Sequence, residues 1–152
     1  MRTKACIAAV GVAAATGSAW AGAWVPFQFG DVGSMTDIAV VIAADEPQVD
    51  VTDAFLSGDQ FHVEFLTTSV AGDTSLPTSV GDTISDDYDG AFADSRWSSG
   101  SFLVGPGSFT MRITVIQSPF GAGGAAYRTA VPAPGAVSLL ALGGLALVRR
   151  RR

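Results

Sequence analysis

The chain of 152 residues holds one cysteine, Cys6, one histidine, His62, and one lysine, Lys4. A lone cysteine excludes an intrachain disulfide framework, and together with a lone histidine it excludes the nitrogen and sulfur ligand sets that zinc prefers. Any nucleophile–histidine–carboxylate arrangement would rest on His62 alone. That residue alternates with apolar neighbours beside Glu64, which places it on the polar face of a strand pattern. Basic residues are scarce as well. Residues 24–130 keep Arg96, Arg112 and Arg128 against all fourteen acidic residues, a net charge of −11. Nucleic acid and anionic lipid need clustered Lys and Arg, so both are excluded as partners of this region. Paired carboxylates can hydrolyse glycosides, but no pair here stands in an apolar setting. The chain is read as not being an enzyme.

What is present is concentrated at the two ends. Arg2 and Lys4 precede a small and apolar run from Ala5 to Ala15, and Ala19-Trp20-Ala21 supplies a small-x-small cleavage pattern, with Ala21-Gly22-Ala23 beside it. This is the pattern of a signal peptide over residues 1–21. It implies Sec-type export machinery and signal peptidase as partners. Cys6 stands at the start of the apolar run rather than after it, which excludes a lipoprotein signal. Its removal leaves the exported body without cysteine, held by its core alone.

At the other end, Val131-Pro132-Ala133-Pro134-Gly135 is followed by Ala136 to Val148 without a charge, then by Arg149, Arg150, Arg151 and Arg152. Gly135 to Val148 makes roughly 21 Å of helix at ~1.5 Å per residue, against a hydrocarbon core of about 30 Å. Such a segment spans only by thinning the bilayer and letting Arg149 snorkel. Gly143-Gly144 weakens it further. It suits a transient anchor better than a permanent one. The positive-inside bias holds the four arginines on the cytoplasmic side and leaves residues 22–134 outside.

These three parts together resemble the PEP-CTERM sorting domain of Gram-negative bacteria, in a V-P-A-P-G variant with Ala133 in place of the glutamate between the prolines. The resemblance covers residues 131–152. It implies processing by an exosortase-like membrane enzyme, residence at the inner membrane until then, and a destination at the cell surface or outside the cell, in contact with extracellular polysaccharide. A sortase signal would want Leu-Pro-x-Thr-Gly, and a GPI signal would end in apolar residues.

Between the tags, strand periods recur and helix periods are scarce. Phe61, Val63 and Phe65 alternate with His62 and Glu64; Phe109, Met111, Ile113 and Val115 alternate with Thr110, Arg112 and Thr114. Ile38 to Ala43, a short continuous apolar run, reads as a sandwich-core strand rather than a helix, and Trp24 to Phe29 and Phe102 to Val104 as further strands. Gly105-Pro106-Gly107 and Ser57-Gly58-Asp59 read as turns. Residues 120–126 read as a Gly-rich bend before a last strand at Ala126 to Ala130. Asp53 and Asp59 read as turn organisers, Gly107 and Gly124 as sources of backbone freedom. Arg112 and Glu64 predict a cross-strand ion pair. The expected fold is all-β: one antiparallel β-sandwich over residues 22–130, jelly-roll-like, flanked by a signal helix and a short hydrophobic C-terminal helix. The segments Val51–Phe61, Ala93–Gly100, Gly105–Thr110 and Gly121–Arg128 also resemble small exported β-sandwich proteins that carry this kind of tail. That likeness brings no catalytic residues with it.

Ala71 to Gly100 reads as one long polar connection. Asp82, Asp86, Asp87, Asp89 and Asp94 make it a candidate calcium loop, the alternative being a solvated acidic loop. An EF-hand is excluded: with Gly90 at loop position six, position twelve is Arg96 rather than a glutamate. Two function classes remain. One is a non-catalytic surface or matrix protein. The other is a carbohydrate-binding module, calcium-assisted or not, with Trp97, Tyr88 or Trp24 as exposed stacking platforms.

Overall fold

Eight strands and one short helix make up the computed structural model, which describes residues 21–132. The expected signal helix with Ala19, the hydrophobic C-terminal helix, Ala133–Gly135 and Arg149–Arg152 lie outside the described residues. In chain order the elements are β1 (Val25–Phe29), β2 (Met35–Ile42), β3 (Gln48–Asp53), β4 (Gln60–Phe65), β5 (Ala71–Asp73), α1 (Tyr88–Ala93), β6 (Ser99–Leu103), β7 (Gly107–Gln117) and β8 (Gly123–Ala130). They form two four-stranded antiparallel sheets, ordered β1-β8-β3-β6 and β2-β7-β4-β5. The fold is all-β, as expected. Each strand from the first half pairs with its mirror in the second: β1 with β8, β2 with β7, β3 with β6, β4 with β5.

The two sheets turn their inner faces to one hydrophobic core. Val49 and Val51 of β3, Phe61, Val63 and Phe65 of β4, and Met111, Ile113 and Val115 of β7 are all buried in it. Rings cross between the sheets: Phe29 meets Phe61 at 5.0 Å, and Phe65 meets Phe102 at 6.2 Å. Full burial of one such side chain is worth ~1.5–3 kcal/mol. The alternations in β4 and β7 therefore translate directly into an inner and an outer face.

Four readings of the body change. β2 is an edge strand buried on one face only, with Val40 and Ile42 inside and Val41 exposed. The glycine-rich bend is in fact the start of β8. There Gly123 lies under Phe29 and Gly124 under Phe55, whose rings occupy the space of a Cβ. Close approach, not positive φ, explains Gly124; Gly107 does have a φ of 150°. β3 was hidden by its acidic composition. The 71–100 connection holds β5, which extends β4, and α1, whose N-cap is Asp87 with its carboxylate accepting the Gly90 N–H at 2.9 Å.

α1 packs on β3, on the outer face of the β1-β8-β3-β6 sheet, and so buries Asp50 and Thr52 there. The two ends of the described chain meet. Ala21 forms an antiparallel bridge with Ala130, and the Gly22 N–H donates to the Thr129 carbonyl at 2.8 Å. Among the described residues no helix is long and apolar enough to cross a membrane.

Candidate functional site

Strand register builds a polar row on the outer face of the first sheet. Asp50 in β3 stands opposite Arg128 in β8 on one side and Ser101 in β6 on the other. Residues directly opposite share a face, so all three side chains project toward α1. The Arg128 Nε donates to Asp50 Oδ2 at 3.1 Å, and its Nη1 reaches Asp89 Oδ1 at 2.5 Å. The other Asp50 oxygen accepts from Gln48 Nε2 and Ser101 Oγ, both at 2.7 Å. The carboxylate is thus fully engaged although almost no water reaches it.

Aromatic rings close the site from above. The Arg128 guanidinium lies 4.2 Å from the Trp24 ring centre and 5.3 Å from that of Phe92. Trp24 enters from the chain just before β1, and Phe92 and Asp89 come from α1. The Trp24 indole N–H donates to Asp89 Oδ1 at 3.1 Å. That bond, and then the one from Arg128, hold the Asp89 carboxyl below the usual carboxylate range. Beside this cluster lies a cleft of about 660 Å³, walled by Trp24, Gln48, Asp50, Phe92, Ser101 and Arg128. That volume falls within the range of small-molecule sites. The cleft opens at the pole where the two chain ends meet, with Gly22 and Val131 at its rim.

The residues singled out from the sequence are placed otherwise. The five loop aspartates do not converge. Asp87 caps α1, Asp89 joins the arginine cluster, Asp86 takes the Ser85 hydroxyl, and Asp94 and Asp82 flank Arg96 at 2.6 and 3.7 Å. Among the described residues no three Asp, Glu, His or Cys side chains gather in a metal-holding group.

The aromatic platforms also differ from expectation. Trp97 is buried, and its indole N–H finds no partner among the described residues. Trp24 packs against Tyr88 at 6.1 Å and 44° and against Phe92 at 5.7 Å and 53°, a tilted cluster rather than a flat shelf. His62 does face outward, paired through Nδ1 with Asp73 Oδ1 at 2.6 Å across β4 and β5. Arg112 stands opposite Glu64 as expected, but at 3.7 Å; its fork closes instead on Asp37, at 2.7 and 2.8 Å.

Two features had no reading of this kind in the sequence. Asp50, Arg128, Gln48 and Ser101 meet only through the register of three strands, one of them unrecognised. Asp53 and Asp59 do close a turn, with Asp53 Oδ1 accepting the Ala54 N–H at 2.8 Å and Oδ2 the Asp59 N–H at 3.3 Å. Both, however, are buried. Burial, reinforced by the charge of Asp59, pushes Asp53 up to about 8. Burial raises Asp59 too, and its Oδ1 has no hydrogen-bond partner among the described residues.

Compared with family models, curated proteins and solved structures, the chain matches none.

Proposed function

We propose that the chain is an exported, non-catalytic cell-surface or extracellular-matrix protein, sorted through residues 131–152 for exosortase-type processing. The observation that carries this reading is the hydrogen bond from the Gly22 N–H to the Thr129 carbonyl at 2.8 Å, which cleavage after Ala21 leaves in place. It sets the first residues after the proposed signal segment beside the start of the proposed sorting tail at one pole. A body translocated behind one tag and held by the other must present both ends to the membrane. With the ends adjacent, it does so without refolding, and everything beyond that pole faces outward. The charge of −11 over residues 24–130 repels anionic headgroups and keeps the body off the bilayer.

The body itself is read as a β-sandwich of jelly-roll type. Support comes from the strand pairing, in which β1–β4 match β8–β5 in reverse, as when one long antiparallel hairpin is rolled over a core.

The test is the intact mass of the full-length protein expressed in an exporting host, with and without an exosortase-type enzyme. Export predicts loss of residues 1–21, and the enzyme predicts further loss of the tail beyond the proline motif. A product that keeps Met1 in the cytoplasm overturns the export reading. A cell-associated product that keeps residues 135–152 beside an active enzyme makes the tail a plain anchor.

The cleft beside Trp24 and Arg128 favours a second reading, a carbohydrate-binding module. Its polar row and aromatic wall are the groups that a sugar ring engages, by hydrogen bonds and by stacking. A glycan array probed with the full chain, with and without calcium, tests it. Binding that Trp24→Ala abolishes supports a site in this cleft; an array without signal removes the reading.

A further inference from the structure

β2 has the composition of an interior strand and the position of an edge. From Met35 to Ile42 its side chains are apolar except for Thr36 and Asp37. Yet among the described residues it pairs with β7 alone. Met35 is 65% and Val41 76% exposed, and Ile38 is half-buried against the core. The Val115 N–H donates to the Ser34 carbonyl at 3.1 Å. Antiparallel bonding alternates from there. Thr36, Ile38, Val40 and Ile42 bond to β7, while Met35, Asp37, Ala39 and Val41 turn their N–H and C=O groups outward. A long apolar edge of this kind is a template for another strand.

The other sheet edges are guarded. β1 carries Pro26, which has no N–H to offer. β5 is three residues long. In β6 the Ser99 carbonyl accepts the Ser75 N–H at 2.8 Å, and the Ser99 N–H donates to Ser75 Oγ at 3.0 Å. β2 has no such device. Its one charge, Asp37, is offset by the Arg112 fork at 2.7 and 2.8 Å.

We propose that β2 is the interface for a second copy of this chain, the two strands pairing antiparallel about a twofold axis at Ile38. In that register Met35 stands opposite the second copy's Val41, and Asp37 opposite its Ala39. All the outward N–H and C=O groups from Met35 to Val41 then find partners. On the inner side Ile38 meets Ile38 and Thr36 meets Val40, so the half-buried edge of each core is covered by the other. The two most exposed apolar side chains of the strand cover one another, and no aspartate lies directly opposite an aspartate. On the outer face a groove of about 370 Å³ flanks Val41, lined by Ala39, Leu66, Ser108 and Thr110. The flexible Met35 side chain of one copy lies at the mouth of the other's groove and suits its irregular shape. The strand is its own complement, which singles out a second copy among strand donors. The interface is isologous and the remaining edges are guarded, so the assembly closes as a dimer instead of growing. One paired edge is small against the ~1,600 Å² of a standard interface, so the dimer is weak and forms where the protein is concentrated.

The experiment is disulfide trapping in the full-length chain carrying Cys6→Ser, purified in detergent micelles. Across the axis Ile38 occupies a non-hydrogen-bonded pair, with Cα atoms about 4.5 Å apart, within disulfide reach. Ile38→Cys is expected to give a covalent dimer on mild oxidation. Leu103→Cys, at an exposed position on the guarded edge β6, is expected to give none. No dimer at position 38, or equal dimer at both positions, overturns the proposal. Should Ile38→Cys fail to fold, sedimentation of the chain without cysteine substitutions decides. The wild type is expected to shift from monomer toward dimer as loading rises. Val41→Lys, a charge at an already exposed edge position, is expected to remain monomeric. A dimer that persists in Val41→Lys overturns the proposal. So does a wild type that stays monomeric at every loading, which would leave β2 to a strand of another protein.

Discussion

Arg128 and Asp50 pair across β8 and β3 almost out of reach of solvent: Nε to Oδ2 is 3.1 Å, with the side chains 13% and 4% exposed. The pair is the centre of the outer-face cluster. Gln48 and Ser101 hold its carboxylate from one side, and Trp24 and Phe92 lie beside its guanidinium. Removing one partner of such a pair leaves the other buried and uncompensated, which costs several kcal/mol.

Arg128→Ala is therefore expected to destabilise the protein by about 3 kcal/mol, read from urea midpoints at unchanged m-value. Arg128→Lys recovers only part of this, because an ammonium cannot reproduce the fork to Asp50 and Asp89 over an aromatic ring. Full recovery by lysine would show that charge alone matters.

Arg112 and Asp37 offer the contrast. Their two bonds are shorter, 2.7 and 2.8 Å, but the side chains are 32% and 46% exposed. Exposed pairs gain little because water competes for both groups. Asp37→Asn is expected to leave the unfolding midpoint close to wild type. The Arg112 fork, which holds the Asp37 carboxyl below its ordinary range, should show in the Asp37 titration by NMR and weaken with salt.

Gly123→Ala is expected to cost about 2 kcal/mol, since a Cβ there would stand 2.7 Å from Phe29 Cζ inside the core. Gly72→Ala, on the edge strand β5, meets only Phe102 at 3.5 Å and should be close to neutral. Equal costs would show that backbone entropy, rather than ring packing, governs these glycines.

Stability should fall as pH rises from about 4 to about 8. Asp53 titrates at about 8 in the folded protein, against an ordinary value near 4 when unfolded, so the folded state holds the extra proton between them. The contribution is complete below the unfolded value and is lost by up to about 1.4 kcal/mol per pH unit until the folded value is passed. Asp37, Asp89 and Asp94, all lowered by arginine or indole partners, act in the opposite sense and lose their contribution below pH ~4. Urea midpoints from pH 4 to 9 check this, and Asp53→Asn should flatten the slope. A wild-type slope that is flat would mean that Asp53 is ionised when folded.

Much of the body can be read from spacing alone. Phe61-His62-Val63-Glu64-Phe65 and Phe109 to Val115 became β4 and β7 with the expected faces, since a period of two needs only one buried side. The reading failed where a second layer covers the outer side. β3 carries Asp50, Thr52 and Asp53 at buried positions because α1 and the loop lie over it, so its alternation is blurred. It failed also at Gly123 and Gly124, where a glycine pair that looks like a bend is strand backbone making room for Phe29 and Phe55.

By itself the sequence determined the acidic, cysteine-free composition of residues 24–130 and the all-β class. These depend on composition and on contacts between near neighbours in the chain. Tertiary structure alone decided which charges are buried and what they face. Asp50 meets Arg128 from 78 residues away, and Asp53 and Asp59 are both buried at one turn. The physical reason is that burial belongs to the assembled layers. An aspartate in solvent and one under a helix share the same letter, and only the packing of α1 and the neighbouring loop over the sheet separates them.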